Sequence, residues 1–288
     1  MQTIKTIAEL RTIIQSARTA GKSVGYVATM GFLHEGHMHL VRAARSEHDV
    51  VVASIFVNPL QFGPGEDYED YPRDLAKDQA LLEQNGCDVL FAPSVEEMYP
   101  QPMATFVEVP ELSTGLCGRS RPTHFRGVAT VVCKLFNIVQ PDAAYFGQKD
   151  GQQVAVIRRM VADLNIPVRI VAVPIVREDD GLARSSRNIY LTDEHRLHAT
   201  VLHRALETAV DAISSGERSG STVARLMAEQ ISSEPGVKLD YAEVVNATSL
   251  EPVEDLQGDI MLAVAAYVGK ARLIDNVPLT VESAVVSV

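Results

Sequence analysis

The chain has 288 residues, enough to bury one large core or two of ordinary size. It is 46% hydrophobic and 22% charged, as a globular protein is, and its formal net charge of -11 disfavours a general nucleic-acid or membrane-surface binder. Cys87, Cys117 and Cys133 are scattered and form no C-x-x-C, which fits thiols kept reduced in a cytoplasmic protein better than a disulfide framework. The N-terminus carries no secretory pattern, and the late apolar run from Ile260 to Val268 is too short to span a bilayer.

Thr6 and Glu9 match a capping box, and Ile7, Leu10, Ile14 and Ala17 follow helical spacing up to Gly21, a C-cap. Val24 to Thr29 is apolar and β-branched enough for a buried strand. Met30-Gly31-Phe32-Leu33-His34-Glu35-Gly36-His37 follows, and Met38 to Arg45 reads as a helix with Leu40, Val41 and Ala44 on one side. Two histidines three apart thus sit where a parallel strand gives way to a helix, the place where open α/β sheets collect ligands. The helix N-terminus suits a phosphate there, and Gly31 and Gly36 permit close backbone approach. Competing readings are histidines satisfied by local backbone, an ordinary buried turn, or a zinc site of His34, His37 and His39. The zinc reading lacks both the H-E-x-x-H spacing and a cysteine pair.

Val50 to Val57 is a second buried strand, ending in a loop from Asn58 to Gly65 that proline and glycine bar from helix; Asn58 and Gln61 lie at its start. The acidic stretch from Glu66 to Arg73 reads mostly as a solvated loop. Asp74 to Asn85 reads as a helix stopped by Gly86, Asp88 to Ala92 as a strand, and Thr105 to Val109 as a short strand. Gly115 to Val128 holds three arginines and His124 and suits either a mobile anion-binding loop or a packed connector. Val128 to Val139 is a helix and Ala143 to Phe146 a strand. That strand opens into Gly147-Gln148-Lys149-Asp150-Gly151-Gln152-Gln153, ahead of a helix from Val154 to Leu164. Repeated strand-to-helix turns of this kind predict an α/β fold with a doubly wound parallel sheet. Val168 to Val176 is a further strand, with Pro167 and Pro174 marking its limits or an edge position.

Arg177 to Asn188 combines hydroxyls with arginines, and Ser185, Ser186 and Arg187 make a polyphosphate clamp or, more plainly, a surface turn before a helix capped by Thr192. Residues 193–215 and 220–233 read as two helices. Leu239 to Asn246, Ile260 to Val268 and Ala271 to Val277 read as strands, with Gly269-Lys270 as a hairpin turn. The expected division is a Rossmann-like catalytic domain over 1–176 and a smaller α+β domain over 177–288.

Five segments then carry a resemblance. Thr29 to His37, Phe56 to Phe62, Arg121 to Val128, Phe146 to Gln153 and Ser185 to Asn188 resemble, in order and spacing, the pantoate–β-alanine ligase (pantothenate synthetase) family of the nucleotidyltransferase superfamily. The resemblance implies that ATP, with Mg²⁺, adenylates pantoate and that β-alanine then displaces AMP. It implies catalytic roles for His37, His34, Lys149 and Arg187. It implies an ATP site of Met30, Gly31, Phe32, Leu33, His34, Glu35, Gly36, His37, Gly147, Gln148, Lys149, Asp150, Val176, Arg184, Ser185, Ser186 and Arg187. Gln61 and Gln153 would hold pantoate, with Gln61 beside β-alanine later. Direct metal ligands stay unassigned, and the implied assembly is a homodimer with small-molecule partners only. Four positions depart from the family pattern: Phe32, Gln148, Gly151 and Arg184. The guanidinium of Arg184, where methionine or leucine is usual, is expected to point to solvent. Rival readings are a nucleotidyltransferase acting on a phosphate-bearing acceptor and a non-catalytic zinc- or nucleotide-binding module.

Overall fold

The computed structural model describes residues 1–282. Six strands, β1 (Gln2–Ile4), β2 (Val24–Thr29), β3 (Val50–Ile55), β4 (Val89–Phe91), β5 (Ala143–Gly147) and β6 (Arg169–Val173), form an all-parallel sheet in the order β1-β4-β3-β2-β5-β6. Chain order therefore reverses between β2 and β5, and the carboxyl ends of those two strands diverge into a crevice. Thr6 caps the helix Ile7–Thr19, where Leu10 and Ile14 are buried, each contributing about 1.5–3 kcal/mol by leaving water. The helix Glu35–Glu47 buries Met38, Leu40, Val41 and Ala44, the stripe read from the sequence.

Three strands, β7 (Val237–Asn246), β8 (Gly258–Val268) and β9 (Ala271–Val281), form an antiparallel sheet in that order. Successive residues of β8 face opposite ways. Leu262, Val264 and Ala266 join a core with the helices Val201–Ser214 and Gly220–Ser233. Met261, Ala263 and Ala265 join the core of the parallel sheet. Burial on both faces explains the near-continuous apolar run of β8. Among the described residues no helix is long and apolar enough to cross a membrane.

Several expectations need correction. Thr105 to Val109 forms no strand. The Val107 N–H donates instead to Thr130 Oγ1 (3.0 Å), and the segment packs along the helix His124–Val139 ahead of Pro110. The Asn58–Gly65 loop does contain a helical turn, a single 3-10 turn over Pro59–Gln61, with proline at a first position whose missing N–H costs nothing. Residues 193–215 are two helices, Asp193–Ala199 and Val201–Ser214, interrupted at Thr200, whose hydroxyl turns back to Leu197 O. β3 stops at Ile55 and β6 at Val173, short of Val57 and Val176. The three-residue strand β1, unread in the sequence, pairs with β4. The segment from Gly115 to Val128 is a packed connector: a side chain on Gly118 would collide with Ser113 O, and Arg121 is paired to Glu66.

Candidate active site

A cavity opens at the carboxyl ends of β2 and β5. Met30, His34, Gly36, His37, Gln61, Gly147, Lys149, Asp150, Gln153, Val176, Arg184, Ser185, Ser186 and Arg187 all line it. Gly31, Phe32, Leu33, Glu35 and Gln148 stand outside its wall, although the sequence grouped them with it. Leu33 is a core residue, Glu35 pairs with Arg42, and Gln148 Nε2 donates to Asn276 Oδ1 (3.0 Å).

The two histidines are set by the helix start that carries them. His34 is the N-cap of Glu35–Glu47, and its Nδ1 accepts from Gly36 N–H (3.2 Å). Its own backbone N–H donates to Nδ1 of His37 (3.3 Å), and the ring centroids lie 4.1 Å apart. Each Nδ1 is used as an acceptor, so each neutral ring carries its proton on Nε2. Burial is the main reason both rings resist a second proton. With the neighbouring His37, Lys149 and Arg184 it lowers His34 to about 2. His37 is lowered to about 4 by burial, with the Asp150 carboxylate pulling the other way and Lys149 adding to the depression.

The Gly147–Asp150 turn brings Lys149, whose Nζ lies 3.5 Å from Asp150 Oδ1. Asn276 of β9 fixes this turn by donating from Nδ2 to the carbonyls of Gln148 and Lys149 (2.9 Å each). A side chain at Gly151 would meet Met261 Sδ at 2.7 Å, so the second sheet fills the space beside that glycine. Ser185 Oγ accepts from Arg187 N–H (3.2 Å), and Ser186 Oγ donates to Phe32 O (3.2 Å), joining the serine–arginine segment to the histidine turn. Arg187 grips Asp67 through Nε (3.1 Å) and Nη2 (2.9 Å). Arg184 does not point to solvent. It pairs with Glu178 at 2.8 Å, its Nε is buried without a partner, and its backbone N–H donates to Val176 O (3.0 Å). Glu66 and Asp67 are likewise counter-ions of Arg121 and Arg187, not residues of a solvated loop.

Gln61 is held from three sides. Its Oε1 accepts from Asn58 Nδ2 (3.1 Å), its Nε2 approaches Met30 Sδ (2.9 Å), and its carbonyl accepts from Nδ1 of His124 (3.0 Å). Arg121 Nη1 lies 3.2 Å from His124 Nε2 and can only donate, so His124 is the Nδ1–H tautomer. Burial and then the Arg121 charge lower His124 to about 4. Asn58, Arg121 and His124 also line the cavity, and none was assigned a partner from the sequence: Arg121 and His124 stood only in a segment that suited anion binding or packing, and Asp67 only in an acidic loop. The local signals were the place of Asn58 at the carboxyl end of a strand and the run of arginines around His124. Gln152 is structural: its Nε2 donates to Leu112 O and Gly115 O and its Oε1 accepts from Cys117 N–H.

The arrangement offers neutral imidazole donors and three cations in one wall, with amide side chains in another. It suits a polyanion beside a small polar molecule. The profile of the family described as Pantoate-beta-alanine ligase matches residues 2–278. The pantothenate synthetase of Moorella thermoacetica is 56% identical over 281 residues, 98% of this chain and 99% of that one. The pantothenate synthetase of Thermotoga neapolitana is 56% identical over 276 residues, 96% of this chain and 99% of that one. The crystal structure of pantothenate synthetase from Thermus thermophilus superposes with a TM-score of 0.92 at 50% identity, covering 98% of this chain and 100% of that one. A pantoate-beta-alanine ligase from Francisella tularensis, solved in complex with Beta-gamma ATP and beta-alanine, superposes with a TM-score of 0.78 at 36% identity, covering 96% and 97%. With the profile spanning nearly all of its length and relatives this similar over theirs, the chain belongs to the pantoate–β-alanine ligase family.

Proposed function

We propose that the cavity condenses pantoate with β-alanine at the expense of ATP, in two steps sharing one pantoyl adenylate. In the first, a pantoate carboxylate oxygen attacks the α-phosphorus of ATP. The bond from that phosphorus to the bridging oxygen breaks, and pyrophosphate leaves. In the second, the nitrogen of β-alanine as its free amine attacks the acyl carbon, the carbon–oxygen bond to AMP breaks, the nitrogen gives up one proton to water, and pantothenate and AMP are released. Mg²⁺ enters with ATP as part of the substrate.

The observation that carries this reading is the paired Nε2–H tautomer of His34 and His37 beside Lys149 and Arg187 in one cavity wall. The two imidazoles donate hydrogen bonds, and Lys149 and Arg187 add positive charge, to phosphate oxygens as charge builds on them, with His37 Nε2–H the principal donor of the pair. Such a donor is commonly worth about 2.7–4 kcal/mol. Arg184, Ser185 and Ser186 hold the rest of the triphosphate, with Met30, Gly36, Gly147, Asp150 and Val176 lining the nucleotide. Gln61 and Gln153 hold pantoate, and Gln61 neighbours β-alanine afterwards. The amide-lined wall favours a hydroxy acid over a phosphate-bearing acceptor, which needs cations of its own.

Residues 1–176 act as the catalytic domain and 177–288 as its lid. Support comes from Asn276 on the Gly147–Asp150 turn and from Ser186 on Phe32, both of which join the second part to the first. The acidic balance and three free cysteines support a cytoplasmic enzyme of small molecules. The family resemblance supports a homodimer.

The test is ATP–pyrophosphate exchange without β-alanine. Exchange must depend on pantoate, and His37→Ala must cut it by about 100-fold or more while leaving the far-ultraviolet circular dichroism unchanged. Exchange without pantoate, or near-normal exchange in His37→Ala, overturns the reading.

A further inference from the structure

Asp78 lies on the helix Leu75–Gln84, away from the cavity wall, and is 1% exposed. A buried carboxylate is costly unless hydrogen-bonded. This one is answered by two consecutive backbone N–H groups: Oδ2 accepts from Phe32 (2.8 Å) and Oδ1 from Leu33 (2.7 Å). Burial pushes its carboxyl above the usual value, against the pull of the Leu33 and Phe32 N–H groups.

The backbone it grips is strained. Gly31 has φ +87° and Phe32 φ +52°, so a bulky residue occupies the left-handed region directly after a glycine. Two successive residues of this kind turn their following N–H groups to one side, and only an acceptor there satisfies both. Gly31 makes the approach possible, because a Cβ there would stand 3.1 Å from Asp78 Oδ2 and 2.9 Å from Ile55 Cγ2. Leu33 is followed at once by His34, whose extended backbone (φ -140°, ψ 178°) lets one ring cap Gly36 and lets its N–H reach the other ring. The orientation of both imidazoles is thus inherited from a turn that Asp78 holds from one side and Ser186 from the other.

We propose that Asp78 is a positioning residue of the adenylation step, clamping the Gly31–Leu33 turn so that His34 and His37 present their Nε2–H groups together. The proposal rests on the cavity being the adenylation site. It explains why an acid is kept in an otherwise apolar helix face, where a hydrophobic residue would pack without desolvating a charge.

The test uses Asp78→Asn, which keeps the shape but replaces one acceptor by a donor. Two readouts are taken on the full chain: pantoate-dependent exchange, and ¹⁵N NMR of the histidine rings. The expected result is a fall in exchange kcat of about 100-fold, the scale of a small misplacement in a preorganised site. With it, His34 or His37 loses its pure Nε2–H signature, while His124 keeps Nδ1–H. Unchanged His34 and His37 signatures, with exchange lowered only as far as the folded fraction, overturn the proposal and leave Asp78 merely structural. Should Asp78→Asn not fold, the unsubstituted protein carries the test. Slow amide exchange at Phe32 and Leu33 with Nε2–H in both rings supports the clamp, and fast exchange there or Nδ1–H in either ring overturns it. The ring signatures need no substrate, so absence of exchange in the parent protein counts against the adenylation reading and not against the clamp.

Discussion

His34, His37 and His124 share a consequence of burial. An unfolded histidine takes up a proton near pH 6.5, whereas folded His37 and His124 hold off to about 4 and His34 to about 2. The folded pKa values are depressed, so this contribution to stability is complete above pH 6.5 and is lost as pH falls toward 4, and further toward 2 for His34. Urea unfolding across pH 7 to 4.5 is expected to show stability falling with up to one extra proton bound per histidine on unfolding. Replacing His124 by Gln is expected to flatten that slope by about one proton. An unaltered slope contradicts the assignment of neutral, buried rings. At this scale His34 and His37 were legible because a strand, a turn and a helix start are local patterns. Asp67, Asp78 and His124 were not, because each acts on a residue 45 or more positions away, Arg187, the Phe32 turn and Gln61 respectively.

Among the elements, the helix His124–Val139 matters as the floor under Gln61. Gly127 lies against the Pro59–Gln61 turn so closely that a Cβ there would stand 2.2 Å from Leu60 O and 2.6 Å from Gln61 Cα, and its carbonyl accepts from Asn58 Nδ2 (3.1 Å). Gly127→Ala must push backbone from backbone. The expected loss is about 1–3 kcal/mol of stability, read by urea unfolding, with a higher KM for pantoate than for ATP. Equal stability and an unmoved pantoate KM contradict this packing. The same helix shows why Thr105 to Val109 misled: alternating apolar residues promise a strand, but pairing needs a free sheet edge, and this segment lies along a helix instead. Apart from the short, half-exposed β1, the strands were readable because their apolar runs, bounded by glycine, proline and asparagine, report burial directly. The break at Thr200 was invisible because helical spacing continues through it.

For the whole molecule, the net charge of -11 and the gathering of Lys149, Arg184 and Arg187 around one cavity are reconciled by local pairing with Asp150, Glu178 and Asp67. Those partners come from separate stretches of the chain, and composition alone gives no hint of the pairing. In the proposed reaction this assembly joins a pantoate oxygen to the α-phosphorus of ATP. Running the complete reaction with pantoate labelled by ¹⁸O in its carboxylate, and weighing the products by mass spectrometry, tests it most directly. One ¹⁸O must appear in AMP and none in pyrophosphate. Label absent from AMP, or found in inorganic phosphate released with ADP, would mean that the acid is activated elsewhere on the nucleotide and would rule out a pantoyl adenylate.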